Sequence, residues 1–252
     1  MSRAISSTLV ASLMLWVGGC GSLLGPAIPQ SVGVRVAAWA DSAATYPPAK
    51  GFVPLADTAG AIRIARLDGY APGQLNSRNG LDAAYAYFRD YANGIGANAY
   101  QVRERCAAAN PCRFSADVYV VADSSRSAED RLPADTVVLI GSLLSGESAF
   151  ELNGDKRIVP PLHYLAYSNT GSDLSLSKAG VLPTGSVTLH AGRGEPPSYW
   201  SLTELAVEPT IVPAGEPGLG IAIGSRQLHV VEEGLGRFLV DVLHEVRTST
   251  EG

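Results

Sequence analysis

Four histidines, three cysteines and a glycine-rich stretch are the groups best suited to chemistry in this chain of 252 residues. His229-Val230-Val231-Glu232-Glu233 has the most metal-like spacing. On a helix His229 and Glu232 would share a face, whereas on a strand they would point to opposite faces. A catalytic zinc takes three protein ligands, and neither His-Glu-x-x-His nor Cys-x-x-Cys is present to supply them, so the pair reads as solvated. A serine hydrolase of the α/β type needs Gly-x-Ser-x-Gly on a strained strand-to-helix turn. Gly141-Ser142 and Ser145-Gly146 lack that spacing. Gly215, Gly218, Gly220 and Gly224 are followed by no Lys-Ser/Thr and fit no dinucleotide fingerprint, so they read as loop glycines. Tyr199-Trp200 has the ring faces of a sugar-stacking platform and, equally, those of core residues. His163, His190 and His244 join no motif. No catalytic residue, metal ligand or cofactor is expected.

The chain opens with Arg3, then fourteen mainly apolar positions from Ala4 to Val17, then Gly18-Gly19. A membrane span needs roughly twenty apolar residues. The stretch is short for that and suits the apolar region of an export signal. Val17-Gly18-Gly19-Cys20 resembles the lipobox of bacterial lipoproteins: an aliphatic residue, two small residues, then cysteine. The resemblance implies that residues 1–19 are a signal peptide and that Cys20 becomes the first residue of the mature chain. Its thiol would carry a diacylglycerol, and its new amino terminus a further acyl chain such as palmitate. One acyl chain holds a protein to a bilayer only marginally, at about 0.8 kcal/mol per buried methylene, so two or three chains imply lasting attachment. Gly21 in place of Asp implies the outer membrane, facing the periplasm. Met1 and Met14 both lie in this signal, so the mature chain keeps no thioether for copper.

With Cys20 assigned to lipid, Cys106 and Cys112 remain as a pair in an oxidising compartment. They bracket a loop containing the turn signal Asn110-Pro111, between strand-like segments at 98–105 and 114–122. A disulfide across the mouth of that hairpin is expected. Closing a seven-residue loop stabilises the fold by roughly 2–2.5 kcal/mol in the chain-entropy picture.

The positions between these groups read as strands and one strong helix. Val32, Val34 and Val36 alternate, as in a half-buried strand. In a second strand, Ile62, Ile64 and Arg66 alternate with Ala61, Arg63 and Ala65. Leu81, Ala84, Tyr85, Phe88, Tyr91, Ala92 and Ile95 fall on one helical face, with Asn76, Ser77 and Asn79 as N-cap candidates and Gly94 and Gly96 closing the helix. Gly96-Ala97-Asn98-Ala99 then leads into a third strand, and 114–122 is a fourth. Residues 79–123 resemble small envelope-lipoprotein domains of unknown function, and also the domain of Rcs-type outer-membrane stress-sensing lipoproteins. In those families a helix ends in Gly/Arg-Ala-Asn-Ala and enters a strand, with cysteines nearby. The sensor family carries more cysteines than this chain, so only its fold is carried over.

Beyond a polar stretch at 124–134 the pattern is largely β, with a hairpin centred on Asn153-Gly154 and short strands punctuated by Gly, Pro, Ser and Thr. Residues 236–246 fit both a helical face and an alternating strand, and a terminal helix is the expectation. The fold class is therefore α+β: an N-terminal antiparallel sheet with one covering helix, then a β-rich sandwich or small barrel, closed by that helix. The expected segments are a signal at 1–19, a lipidated tether at 20–30, an α+β domain with the disulfide at 31–123, a linker at 124–134, a β-rich domain at 135–247 and a tail at 248–252.

Composition bounds the function. With 46% hydrophobic and 17% charged residues the chain has the balance of a folded protein. Asp and Glu outnumber Lys and Arg by 24 to 19, the wrong sign for a nucleic-acid partner. The expected partners are the lipid bilayer, through acylated Cys20, and an envelope protein. The expected role is non-enzymatic binding or scaffolding. The alternative is an envelope hydrolase or sugar-binding protein acting on cell-wall or polysaccharide material.

Overall fold

Alternating small apolar and polar residues make strands of Gly33–Trp39 (β1) and Ile62–Ala71 (β3), with the two-residue Val53–Pro54 (β2) between them. Leu81–Gly94 forms α1, followed by Ala99–Glu104 (β4) and Cys112–Val120 (β5). The computed structural model describes residues 33–40, 46–71, 80–108, 111–122, 132–142, 146–169, 171–179, 186–190, 192–202, 207–210, 220–223 and 228–246. Cys20, the expected signal and the tether lie outside them, as do the N-cap candidates Asn76, Ser77 and Asn79. These five strands form one sheet in the order β1-β3-β5-β4-β2, antiparallel except that β2 runs parallel to β4.

The later strands are Thr136–Ile140 (β6), Ser148–Leu152 (β7), Asp155–Val159 (β8), His163–Ser168 (β9), Leu174–Lys178 (β10), Val187–Leu189 (β11) and Ser198–Leu202 (β12). Val207–Thr210 (β13) and Gly220–Ile223 (β14) pair as a separate ribbon, and Leu228–Val231 (β15), Glu233–Val242 (α2) and His244–Glu245 (β16) complete the described chain. A second sheet runs β15-β12-β6-β9-β16 and a third β11-β10-β7-β8. Among the described residues the protein is thus α+β, with two helices and three sheets of four or five strands. The terminal helix is present as α2, although β16 follows it at once. Asn153 (φ 51°) and Gly154 (φ 88°) both lie in the left-handed region. That is the geometry of the type I′ turn expected between β7 and β8.

Described residues within Ser31–Gly252 belong to one compact unit. Its main apolar cluster joins the inner face of the first sheet (Leu67, Tyr100, Phe114, Ala116, Val118), α1 (Leu81, Ala84, Tyr85, Phe88, Ala92), α2 (Phe238, Leu239, Val242) and one face of the second sheet (Val138, Ile140, Tyr164, Tyr199). Segments on both sides of residues 124–134 therefore share one core. The opposite face of the second sheet (Val137, Leu139, Leu165, Trp200) packs on the third (Phe150, Leu152, Leu174, Leu176). All of β6 is buried. That is why Thr136–Ile140 reads as a continuous apolar run, its period of two sending alternate residues to two different cores.

α1 begins after Gly80, which makes no side-chain cap, and ends in a Schellman turn. There Ala97 N–H donates to Ala92 O at 2.9 Å and Gly96 N–H to Asn93 O at 3.0 Å. Gly96 has φ +88°, and a Cβ there would come within 2.4 Å of Tyr46 Cβ. Asn98, just beyond, is buried and pairs with both backbone groups of Val121, donating to its O at 2.8 Å and accepting from its N–H at 2.9 Å.

Candidate functional site

The outward face of the first sheet carries a cluster that motif reading does not reveal. Asp117, on the central strand β5, has its side chain only 2% exposed although it points away from the helices. Three guanidiniums cover it. Arg103 Nε donates to Oδ2 at 2.7 Å, Arg66 Nε to Oδ1 at 2.9 Å, and Arg63 Nε stands 3.3 Å from Oδ1. Arg103 also donates to the Tyr119 hydroxyl at 3.0 Å.

Strict alternation would not bring these arginines together. Arg63 and Arg66 are three residues apart, which in a regular strand puts them on opposite faces. The pairing of β3 with β5 shifts register between Arg63 and Ala65, so Arg63 lies opposite Tyr119 and Arg66 opposite Asp117, both on the outward face. This corrects the simple alternation of Ile62, Ile64 and Arg66 against Ala61, Arg63 and Ala65. The pairing of β4 with β5 shifts in the same way between Val102 and Glu104, leaving Arg103 as the inserted residue. Bulges of this kind re-aim single side chains and are common beside functional sites. Here two of them converge on one carboxylate.

The electrostatics follow from that geometry. Burial alone would raise the Asp117 carboxyl, but the hydrogen bonds from Arg66 and Arg103 and the charge of Arg63 outweigh it and hold the group below its ordinary value. The hydrogen bond to Asp117 in turn raises the Arg66 and Arg103 guanidiniums. One carboxylate thus fixes three cations, and the cluster keeps two positive charges. Each guanidinium has five N–H donors and Asp117 only two oxygens, so most donors remain available to water or an incoming anion.

The same face continues toward β1. Arg35 meets Asp68 at 3.2 Å. Gly33, Arg35, Asp68, Tyr70, Glu104 and Arg113 line a cleft of about 510 Å³ with Val34, Gly69 and Phe114. Tyr70 lies across Gly33, where any Cβ would come within 2.5 Å of its ring.

The residues singled out by sequence are placed as follows. Cys106 and Cys112 are joined by a disulfide, with Cα atoms 4.9 Å apart, at the mouth of the β4–β5 hairpin. Both are fully buried. Cys106 N–H donates to Val242 O at 3.0 Å, and His244 Nε2 lies 3.2 Å from Cys106 O, which ties the bridge to the end of α2. His163 and His244 are register partners with rings 5.6 Å apart. His229 sits half-buried on β15 opposite Ser201, and Glu232, the residue before α2, is exposed. Among the described residues no group of three His, Cys, Asp or Glu side chains is arranged to hold a metal. Tyr199 and Trp200 are 3% and 7% exposed, which makes them core residues and not a stacking platform. Of the glycine-rich stretch only Gly220, on β14, is described.

His190 Nδ1 lies 2.8 Å from Asp173 Oδ2, and His190 and Ser198 line one cavity of about 140 Å³. The Ser198 hydroxyl oxygen, however, accepts from Trp200 Nε1 at 3.1 Å and makes no hydrogen bond to His190. A serine nucleophile needs its base within hydrogen-bond reach, so these three residues do not form a catalytic pair with its orienting acid. The chain matches no protein-family model, no curated protein and no solved structure.

Proposed function

We propose that this protein is a bacterial envelope lipoprotein, held by acyl chains on Cys20 at the periplasmic side of the outer membrane, and that it binds an anionic partner through the outward face of its first sheet. The β-rich part, in this reading, is a sandwich that serves as a rigid backing. One observation carries the binding role: two β-bulges aim Arg63, Arg66 and Arg103 at one buried carboxylate, that of Asp117. Arginines fixed in this way lose less side-chain entropy on binding and present planar donor forks suited to carboxylate or phosphate.

Crosslinking from intact envelopes tests the binding role. Arg66→Glu with Arg103→Glu should abolish crosslinks from this face to its anionic partner, whether protein or phospholipid headgroup, while Cys20 labelling by palmitate persists. An unchanged crosslink pattern refutes the assigned face. The anchor has a separate test: Cys20→Ala should abolish acyl labelling and leave the precursor at its full length, and normal processing of that variant would refute the lipid assignment.

A further inference from the structure

We infer that the anionic partner of this face is the bilayer itself: the arginine face lies against anionic phospholipid headgroups of the membrane to which the chain is tethered. The inference rests on the lipid anchor and the arginine face of the proposed function, and it names the occupant.

Charge is the first support. Arg35, Arg63, Arg66, Arg103 and Arg113 share the outward face with Asp68, Glu104 and Asp117, a balance of two positive charges in a chain whose formal net charge is -5. The sign is opposite to that of the molecule, and the positive charge is held at fixed positions. Arg113 makes no ion pair with any described residue, and Arg35 keeps 75% of its side chain exposed despite Asp68. Both flank the cleft that ends the face. A basic side chain near an anionic membrane surface contributes about 1 kcal/mol, so the face would attract such a surface measurably but weakly.

Chain length is the second support, and it distinguishes the bilayer from other anions. Twelve residues separate Cys20 from Gly33, where β1 begins. Even fully extended, twelve residues reach only about 40–43 Å. A folded unit of this size is roughly 40 Å across. The reach of the link is less than the path of about 60 Å around such a unit, so the surface on the side of Gly33 is what can rest on the membrane that holds the lipid. Gly33 is itself a lining residue of the cleft, beside Arg35 and Arg113. The weak attraction then acts at the high effective concentration that the anchor imposes. The acyl chains retain the protein and the arginine face orients it.

The test separates the two by removing the lipid. The full mature chain with Cys20→Ser is mixed with vesicles of phosphatidylcholine alone, or of phosphatidylcholine with about a third phosphatidylglycerol, and cosedimentation is read across a salt series. Binding only to the phosphatidylglycerol vesicles, declining as salt rises, is the expected result. Arg35→Gln with Arg113→Gln, which leaves the Asp117 cluster intact and places no like charge opposite Asp68, should lower the partition coefficient at least tenfold while the chain keeps a cooperative thermal unfolding transition. Equal sedimentation with both vesicle types, or no loss in the double variant, overturns the inference. If vesicle binding is absent while the Arg66→Glu, Arg103→Glu variant still loses an envelope crosslink, the occupant is a protein: the proposed function stands and this inference falls. If vesicle binding is seen but Cys20 takes up no palmitate in cells, the anchor fails and with it the tether argument.

Discussion

At the scale of single residues, Asp117 is the group on which most depends. It is an acid in the middle of an exposed sheet face that stays buried because arginine stems cover it. Asp117→Asn would leave Arg63, Arg66 and Arg103 facing one another without a counter-charge. The expected loss is about 2–3 kcal/mol, below the range for fully buried pairs because the guanidiniums reach water. The sign with pH is fixed by the direction of the shift. The folded carboxyl titrates below its unfolded value. Its contribution is therefore complete above the ordinary carboxyl range near about pH 4 and lost as pH falls through the folded value. Urea unfolding of the two proteins should differ most above about pH 5 and converge in strong acid. Midpoints that differ equally at every pH would refute the ionic origin of the effect.

At the scale of elements, the sequence shows each strand more clearly than the pairing between strands. The β5 segment can be read directly: Phe114, Ala116, Val118 and Val120 alternate with Arg113, Ser115, Asp117 and Tyr119, and the structure keeps that division. The arginine cluster cannot be read this way. Arg63, Arg66 and Arg103 meet only because β3 and β4 each slip one residue against β5, and a slip is a property of long-range register that no single strand encodes. The polar row on β5 was the available signal that its second face does more than meet solvent. β2 and β16, two residues each, are too short to leave a period. The α1 face was legible because Leu81, Ala84, Tyr85, Phe88 and Ala92 repeat over just more than three turns, although Tyr91 stays 39% exposed. The helix end gives a direct test. Gly96→Ala places a Cβ against Tyr46 and holds a positive φ, and should destabilise by about 1–3 kcal/mol in thermal or urea melts. An unchanged midpoint would mean that the turn is not built as described.

At the scale of the whole molecule, α2 joins what composition divides. Phe238 is fully buried, with ring centroids 5.1 Å from Tyr85, 4.9 Å from Phe114 and 5.8 Å from Phe88, and it shares its cluster with Val138 and Ile140 of β6. The polar stretch at 124–134 looks like a boundary because composition records the local sequence and not what a distant helix packs against. Phe238→Ala should cost about 3–5 kcal/mol. Native-state hydrogen exchange should then show protection falling together in β5 and β6. Loss confined to one of the two strands would show that the halves are stable apart.

The position of α2 also sets a timetable. The first sheet is fully synthesised once Val120 has been added, yet part of the cover for its apolar face arrives only with Phe238, 118 residues later. At about 5–20 residues per second that interval is about 6–24 s. For all of it Tyr100 and Phe114 lack the Phe238 ring that packs on them, so the apolar face of the first sheet stays partly uncovered until that helix is made.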